Sequence, residues 1–419
     1  MRFVRAMRGL VVLSLVCELG SALFAAQGNV GMSTDRLKRV GTKVKEFVDT
    51  GKEAGLVTII YRRGQIVDVQ AAGWQDLDQR IPIKRDTIFR LASMTKPITN
   101  VAGMMLVEDG KMALDDPIER WLPELANRQV LLDPVGPLDR TKPSPRPIKV
   151  RDVFMYRIGY GTSAAPASAP FSKALAALGE GDPTGDEWLK RLGAIPLAAA
   201  PGERWIYNTP PQVLSRLIAR VSGMPFDQFL QQRVFDPLKM KDTGFWVPPE
   251  KRNRLATAYT SDANGKLQLN KGGNDAAAGA APPKLPSGSG GLVTTADDYL
   301  KFARMLLNKG EVDGVRLLSR KAVQVMTTDY MTIEDRKKAT YEAVFADQGF
   351  GYGLAIMEDP GVVGPSVGSF HWDGASGAAW IADPKEDMIT IVLQQQYNYS
   401  VASKIFRDIY TLVYASMVN

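Results

Sequence analysis

A chain of 419 residues, 45% apolar and 23% charged, is long enough for one large core or two packed subdomains, which excludes small disulfide scaffolds and disordered chains. Its 52 basic and 45 acidic residues give a net charge of +7, but the charge is scattered and no basic run is interleaved with aromatics, so no nucleic-acid groove is expected. A single cysteine, Cys17, and a single histidine, His371, exclude structural disulfides, Cys/His zinc sites and any triad that His371 does not itself complete.

At the start of the chain, Arg2, Arg5 and Arg8 precede the apolar run Leu10 to Cys17. Small residues follow, with Gly20-Ser21-Ala22 or Ala26-Gln27-Gly28 as cleavage points. The run is too short to span a bilayer, and Val16 before Cys17 is a poor context for lipid attachment. Residues 1–28 are therefore expected to be a signal peptide, with export to the periplasm or medium and no stable membrane insertion after removal, in preference to the alternative of an uncleaved N-terminal anchor. The rest divides into an N-terminal part of an α/β domain at 29–88, a mostly helical region at 89–285 and the C-terminal part of the α/β domain at 286–419.

Thr34 to Thr50 has helical apolar spacing through Leu37, Val40, Val44, Phe47 and Val48. Two β-rich runs, Leu56 to Arg62 and Gln65 to Ala71, read as a hairpin joined at Arg63-Gly64. Helices are predicted near Met94 to Glu108, Pro211 to Val221 and Phe226 to Val234, with loops around 133–147, 161–170 and 275–290. Thr295 predicts an N-cap for a helix running to Leu307, with Asp298 at its third position. Strands are predicted over Gly351 to Met357, Val367 to Trp372, Ala378 to Ala382 and Met388 to Gln394, followed by a helix near Val401 to Val418. The expected fold class is α/β of the α+β type: an antiparallel sheet built from both chain ends, flanked by helices, with an inserted mostly helical region.

Ser93-Met94-Thr95-Lys96 is the sharpest candidate for chemistry. A Ser and a Lys three residues apart at a helix start project from one face, so the amine reaches the hydroxyl. The helix N-terminus disfavours the ammonium and favours a developing alkoxide. On spacing alone, a helix cap with a solvated lysine fits the same pattern. Gly364-Pro365-Ser366-Val367-Gly368 formally matches a nucleophile elbow, but a loop precedes it, a strand follows it and no acid separates it from His371, so Ser366 is not expected to be catalytic. His371, between Phe370 and Trp372, reads as a packed or hydrogen-bonded strand residue, and isolated carboxylates such as Asp152 or Asp373 read as solvated or capping.

Several segments together resemble the serine β-lactamase and penicillin-binding-protein superfamily, and within it most closely the family VIII carboxylesterases and class C β-lactamases. They are Phe89 to Pro97, Pro201-Gly202-Glu203-Arg204-Trp205-Ile206-Tyr207, Phe235 to Phe245, Gly290 to Thr295, and Trp372-Asp373-Gly374-Ala375-Ser376-Gly377, in matching order from about residue 35 onward. The resemblance implies Ser93 as the acyl-forming nucleophile, Lys96 as its base and Tyr207 as the group that relays the proton to the leaving group. It also implies an oxyanion hole from the backbone N–H groups of Ser93 and Ala375, with Trp372, Asp373 and Gly374 lining the substrate and no metal or cofactor.

The second motif reads Tyr207-Asn208-Thr209, without the Asn that β-lactamases usually carry at its third position. Trp372 stands where β-lactamases have a Lys that attracts the β-lactam carboxylate, so a small-molecule ester is the expected substrate. A β-lactamase or D-amino-acid peptidase is the alternative within the same chemistry, and a catalytically silent cell-envelope binding protein is the alternative outside it.

Overall fold

The computed structural model describes residues 30–273, 277–340, 345–359 and 361–419. The segment expected as a signal peptide, with Cys17, lies outside the described residues. Helix α1 (Thr34–Asp49) starts at Ser33, whose hydroxyl accepts from Arg36 N at 3.3 Å, and it buries Leu37, Val40, Val44 and Phe47 along one stripe. Next comes the hairpin of β1 (Gly55–Arg62) and β2 (Gln65–Asp76), with Arg62 opposite Gln65. Arg63 and Gly64 have φ of 47° and 84°, the two left-handed residues that a tight hairpin loop requires.

Eight strands form one sheet. Besides β1, β2 and the short β3 (Ile81–Pro82), it contains β4 (Gln348–Phe350), β5 (Ala355–Met357), β6 (Phe370–Asp373), β7 (Ala379–Asp383) and β8 (Met388–Gln394), in the order β4-β5-β6-β7-β8-β1-β2-β3. Every pairing is antiparallel, and β8 from the C-terminal part pairs with β1 from the N-terminal part over Leu56 to Arg62. The expected sheet assembled from both chain ends is thus observed. All residues of β1 and β8 are buried, because apolar layers cover both faces of the sheet's centre.

On one face, α1 packs with α5 (Tyr399–Tyr414), burying Leu37, Val40, Val44, Phe47, Ile405, Ile409 and Val413 against Leu56, Ile60 and Val392. On the other lies the larger core, built with α2 (Thr95–Glu108), α3 (Thr209–Ser222) and α4 (Ala296–Leu307). Thr295 caps α4 as expected, its hydroxyl accepting from Asp298 N at 3.3 Å.

The remaining differences from the sequence expectations are local. The run Gly351 to Met357 is the end of a hairpin: Gly353 has φ of 79°, and the chain turns between β4 and β5. The segment from Phe226 is α-helical only to Leu230 and continues as one wider π-turn through Phe235. Asp152, by contrast, has the capping role expected of it, accepting from Lys149 N at 2.8 Å at the start of a short helix, and it pairs with Arg146 at 2.6 Å. Among the described residues no helix is long and apolar enough to cross a membrane.

Candidate active site

Residues 92–94 form one 3-10 turn that leads into α2. Ala92 has φ of 44°, a left-handed conformation that costs an alanine roughly 1–2 kcal/mol, so the surrounding contacts must impose it. Several contacts grip this turn. Phe89–Arg90 pairs antiparallel with Val293–Thr294, Leu91 N donates to Leu292 O at 2.9 Å, and the Tyr299 hydroxyl of α4 donates to Met94 O at 3.2 Å. Ser93 thereby sits on a rigid corner at the start of a buried helix.

One turn on, Lys96 is fully buried. Its Nζ lies 2.9 Å from Ser93 Oγ, 3.1 Å from Asn208 Oδ1 and 2.6 Å from the carbonyl oxygen of Ser289. Burial holds the amine's pKa well below the ordinary lysine value. The partners then fix how a neutral amine must orient. Asn208 Oδ1 and Ser289 O can only accept, so they take the two N–H groups, and the lone pair is left for the hydroxyl of Ser93, the one partner that can also donate. The Tyr207 ring covers the amine from 4.5 Å.

Asn208 and Ser289 were not singled out by the sequence. Asn208 lies immediately after Tyr207, one place earlier than the superfamily pattern puts an Asn, and its φ of 89° turns the amide back onto Lys96. Ser289 acts through its main chain, which no residue type signals. The loop that carries it is fixed from two sides: Ser289 Oγ donates to Asn208 O at 2.6 Å, and Thr99 Oγ1 donates to Gly288 O at 2.9 Å.

Tyr207 and Trp372 face each other, with Trp372 Nε1 donating to the Tyr207 hydroxyl at 3.2 Å and ring centroids 5.7 Å apart. Behind them Tyr156, Trp205, Phe345 and Phe350 complete an aromatic wall, in which Trp205 stacks on Tyr207 at 5.5 Å. Strand β6 runs alongside the Ser93 turn. A side chain at Gly374 would come within 2.1 Å of Leu91 O, and Ser376 Oγ donates to Arg90 O at 2.7 Å. Strand β5 pairs with β6 only at Phe370 and His371, which leaves the edge at Trp372 and Asp373 without a strand partner on that side. Ala375 follows in the turn and is exposed. Ser93, Lys96, Tyr207, Trp372 and Gly374 are thus brought together. Asp373 alternates to the other face of β6, where the Tyr399 hydroxyl donates to its Oδ2.

The two rejected candidates lie elsewhere. His371 Nε2 and Gln348 Oε1 are 2.7 Å apart, linking β6 to β4, and burial lowers the histidine's pKa. Ser366 lies in the loop before β6, where its backbone N–H donates to Asp383 Oδ2 at 2.9 Å, and no helix follows it. No group of three or more His, Cys, Asp or Glu side chains suited to a metal ion occurs among the described residues.

The chain is similar to known proteins over almost its whole described length. An uncharacterized protein of Mycobacterium tuberculosis is 41% identical over 362 residues, covering 84% of this chain and 88% of the relative. Esterase EstB of Burkholderia gladioli is 30% identical over 355 residues, covering 78% of this chain and 82% of the relative. Among solved structures, EstCE1, described as a hydrolase with promiscuous acyltransferase activity, superposes with a TM-score of 0.77 at 26% identity, covering 90% of this chain and 98% of that one. The family described as Beta-lactamase matches residues 40–409, a stretch that contains the Ser93–Lys96 turn, Tyr207 and β6, and the chain belongs to that family.

Proposed function

We propose that this protein is an exported serine hydrolase that cleaves small carboxylic esters through an acyl-enzyme on Ser93. The observation that carries the reading is the buried amine of Lys96, 2.9 Å from Ser93 Oγ, with its other two partners both acceptors. Lys96 takes the hydroxyl proton as Oγ attacks the ester carbonyl, and the oxyanion forms against the N–H groups of Ser93 and Ala375. Tyr207 passes the proton to the departing alcohol as the C–O bond breaks. Water then repeats the sequence against the acyl-enzyme, releasing the acid and restoring Ser93. The scheme uses no metal or cofactor.

The names of two relatives, an esterase and a hydrolase, support ester cleavage. Trp372 supports it too, because it offers an apolar wall where a lysine would attract an anionic substrate. A panel comparing p-nitrophenyl acetate and butyrate with a chromogenic cephalosporin tests the reading. The esters should have the higher kcat/KM, and Trp372→Lys should narrow the gap while harming ester turnover. A higher kcat/KM for the cephalosporin would replace the esterase by a β-lactamase. No acyl adduct with any of these compounds would favour a silent binding protein.

A further inference from the structure

Asp373 lies one residue from the Trp372 that contacts Tyr207 and one residue from the Gly374 that touches the nucleophile turn, on the stretch of β6 that has no strand partner. Alternation along the strand puts Trp372 and Asp373 on opposite faces, so the two side chains flank that open edge. The carboxylate is only partly buried. Its Oδ2 accepts from Tyr399, the half-exposed first residue of α5, and no basic side chain forms an ion pair with it among the described residues. The charged and titratable groups around the pair are few. His371 and Asp347 lie on the strand side, and Arg407 and Tyr410 lie on α5. His371 is buried and its pKa is lowered, so it offers the carboxylate no standing positive charge. The pair stands at the open edge of β6, and the other face of that edge carries Trp372, which contacts Tyr207, the residue that would protonate the leaving alcohol.

We propose that Asp373 and Tyr399 form a cation subsite for the alcohol portion of the substrate, so that esters of ammonium-bearing alcohols are preferred over neutral and anionic ones. This rests on the ester-hydrolase reading above. A carboxylate already oriented by a phenol hydroxyl, with the ring of Tyr399 beside it, presents both a charge and a π-face that a quaternary or primary ammonium recognises. An anionic leaving portion meets repulsion at the same place.

The test compares acetylcholine with the acetate ester in which a tert-butyl group replaces the trimethylammonium, so that shape is held constant and charge alone varies. The native protein should hydrolyse the cationic ester with a kcat/KM at least about tenfold higher, and salt should shrink the difference. Asp373→Asn should bring the ratio close to one, whereas Tyr399→Phe should keep a preference because the carboxylate remains. Choline binding, followed by calorimetry on the native chain and on Asp373→Asn, reads the subsite without turnover and should be weakened about tenfold by the substitution. Equal rates for the two esters, or a preference that survives in Asp373→Asn, would overturn the proposal while leaving the esterase reading standing. Choline binding lost in Asp373→Asn with no ester turned over would sink the esterase reading and leave the subsite standing. Choline binding unchanged by Asp373→Asn would make the Asp373–Tyr399 contact a structural strut.

Discussion

Lys96 is the residue on which the site turns, and its environment makes two measurable demands. The buried amine has a pKa depressed below the 10.5 of a free lysine, so it is uncharged at every pH above that depressed value. Ester hydrolysis should therefore rise as pH climbs through that value and level off well below 10.5; a rise centred at or above 10.5 would mean that the amine is not the base. Asn208→Ala removes one of the two acceptors that direct the lone pair to Ser93. It should lower kcat by roughly 10- to 100-fold, about 1.4 to 2.7 kcal/mol of barrier, with KM changed little. His371→Asn should keep most of the rate, since the imidazole only bridges β6 to Gln348. A thousandfold loss with the fold intact, about 4 kcal/mol, would give that histidine a role in the chemistry. At this scale the sequence made Ser93, Lys96, Tyr207 and Trp372 legible because each is a side chain within a recognisable local pattern. Asn208 escaped because its left-handed backbone lets it do from one place earlier what the pattern puts elsewhere, and Ser289 escaped because a carbonyl oxygen carries no sequence signature.

The elements most legible in the sequence are those whose signals are local. The β1–β2 hairpin turns at the predicted Arg63-Gly64, α4 starts at Thr295, and β8 runs from Met388 to Gln394 as read, since its continuous apolar pattern reflects burial on both faces. Elements whose ends depend on distant contacts differ from what the sequence predicts. Tyr352, inside the expected strand 351–357, packs on Phe154 and Tyr330, which holds a turn there rather than a strand. The expected strand from Val367 begins only at Phe370, because Gly368 turns with φ of 87°. The approach of β6 to the nucleophile turn also arises from tertiary packing, and it gives a prediction at this scale. Gly374→Ala would put a methyl group 2.1 Å from Leu91 O, so turn and strand must part. Displacing the Ala375 N–H by about 1 Å should cost on the order of 100-fold in kcat, measured against an unchanged far-ultraviolet circular dichroism spectrum. Near-native kcat in that variant would mean that the turn after β6 takes no part in the site.

In the whole molecule, the sheet joins the two ends of the chain, and the helical region between them supplies Tyr207 and the neighbouring Asn208 to a site whose other wall is β6. The same closure appears at the periphery. The fully buried Arg62 of β1 donates to Gly31 O at 2.7 Å and to Asn419 O at 3.0 Å, and pairs with Glu386 at 2.9 Å, holding the start and the end of the described chain together. The turn before α2 and the end of β6 come from distant parts of the chain and meet through Leu91 O and Arg90 O, so nucleophile, base and β6 exist as a site only when both parts are folded together. The central claim is that Ser93, activated by Lys96, carries the acyl group. It is tested most directly by intact-mass spectrometry of the protein quenched during turnover of p-nitrophenyl butyrate, with peptide mapping of the adduct. The account predicts one butyryl group on the peptide containing Ser93, present in Ser366→Ala and absent in Ser93→Ala. An adduct that persists in Ser93→Ala, or substantial ester turnover by that variant, would contradict it.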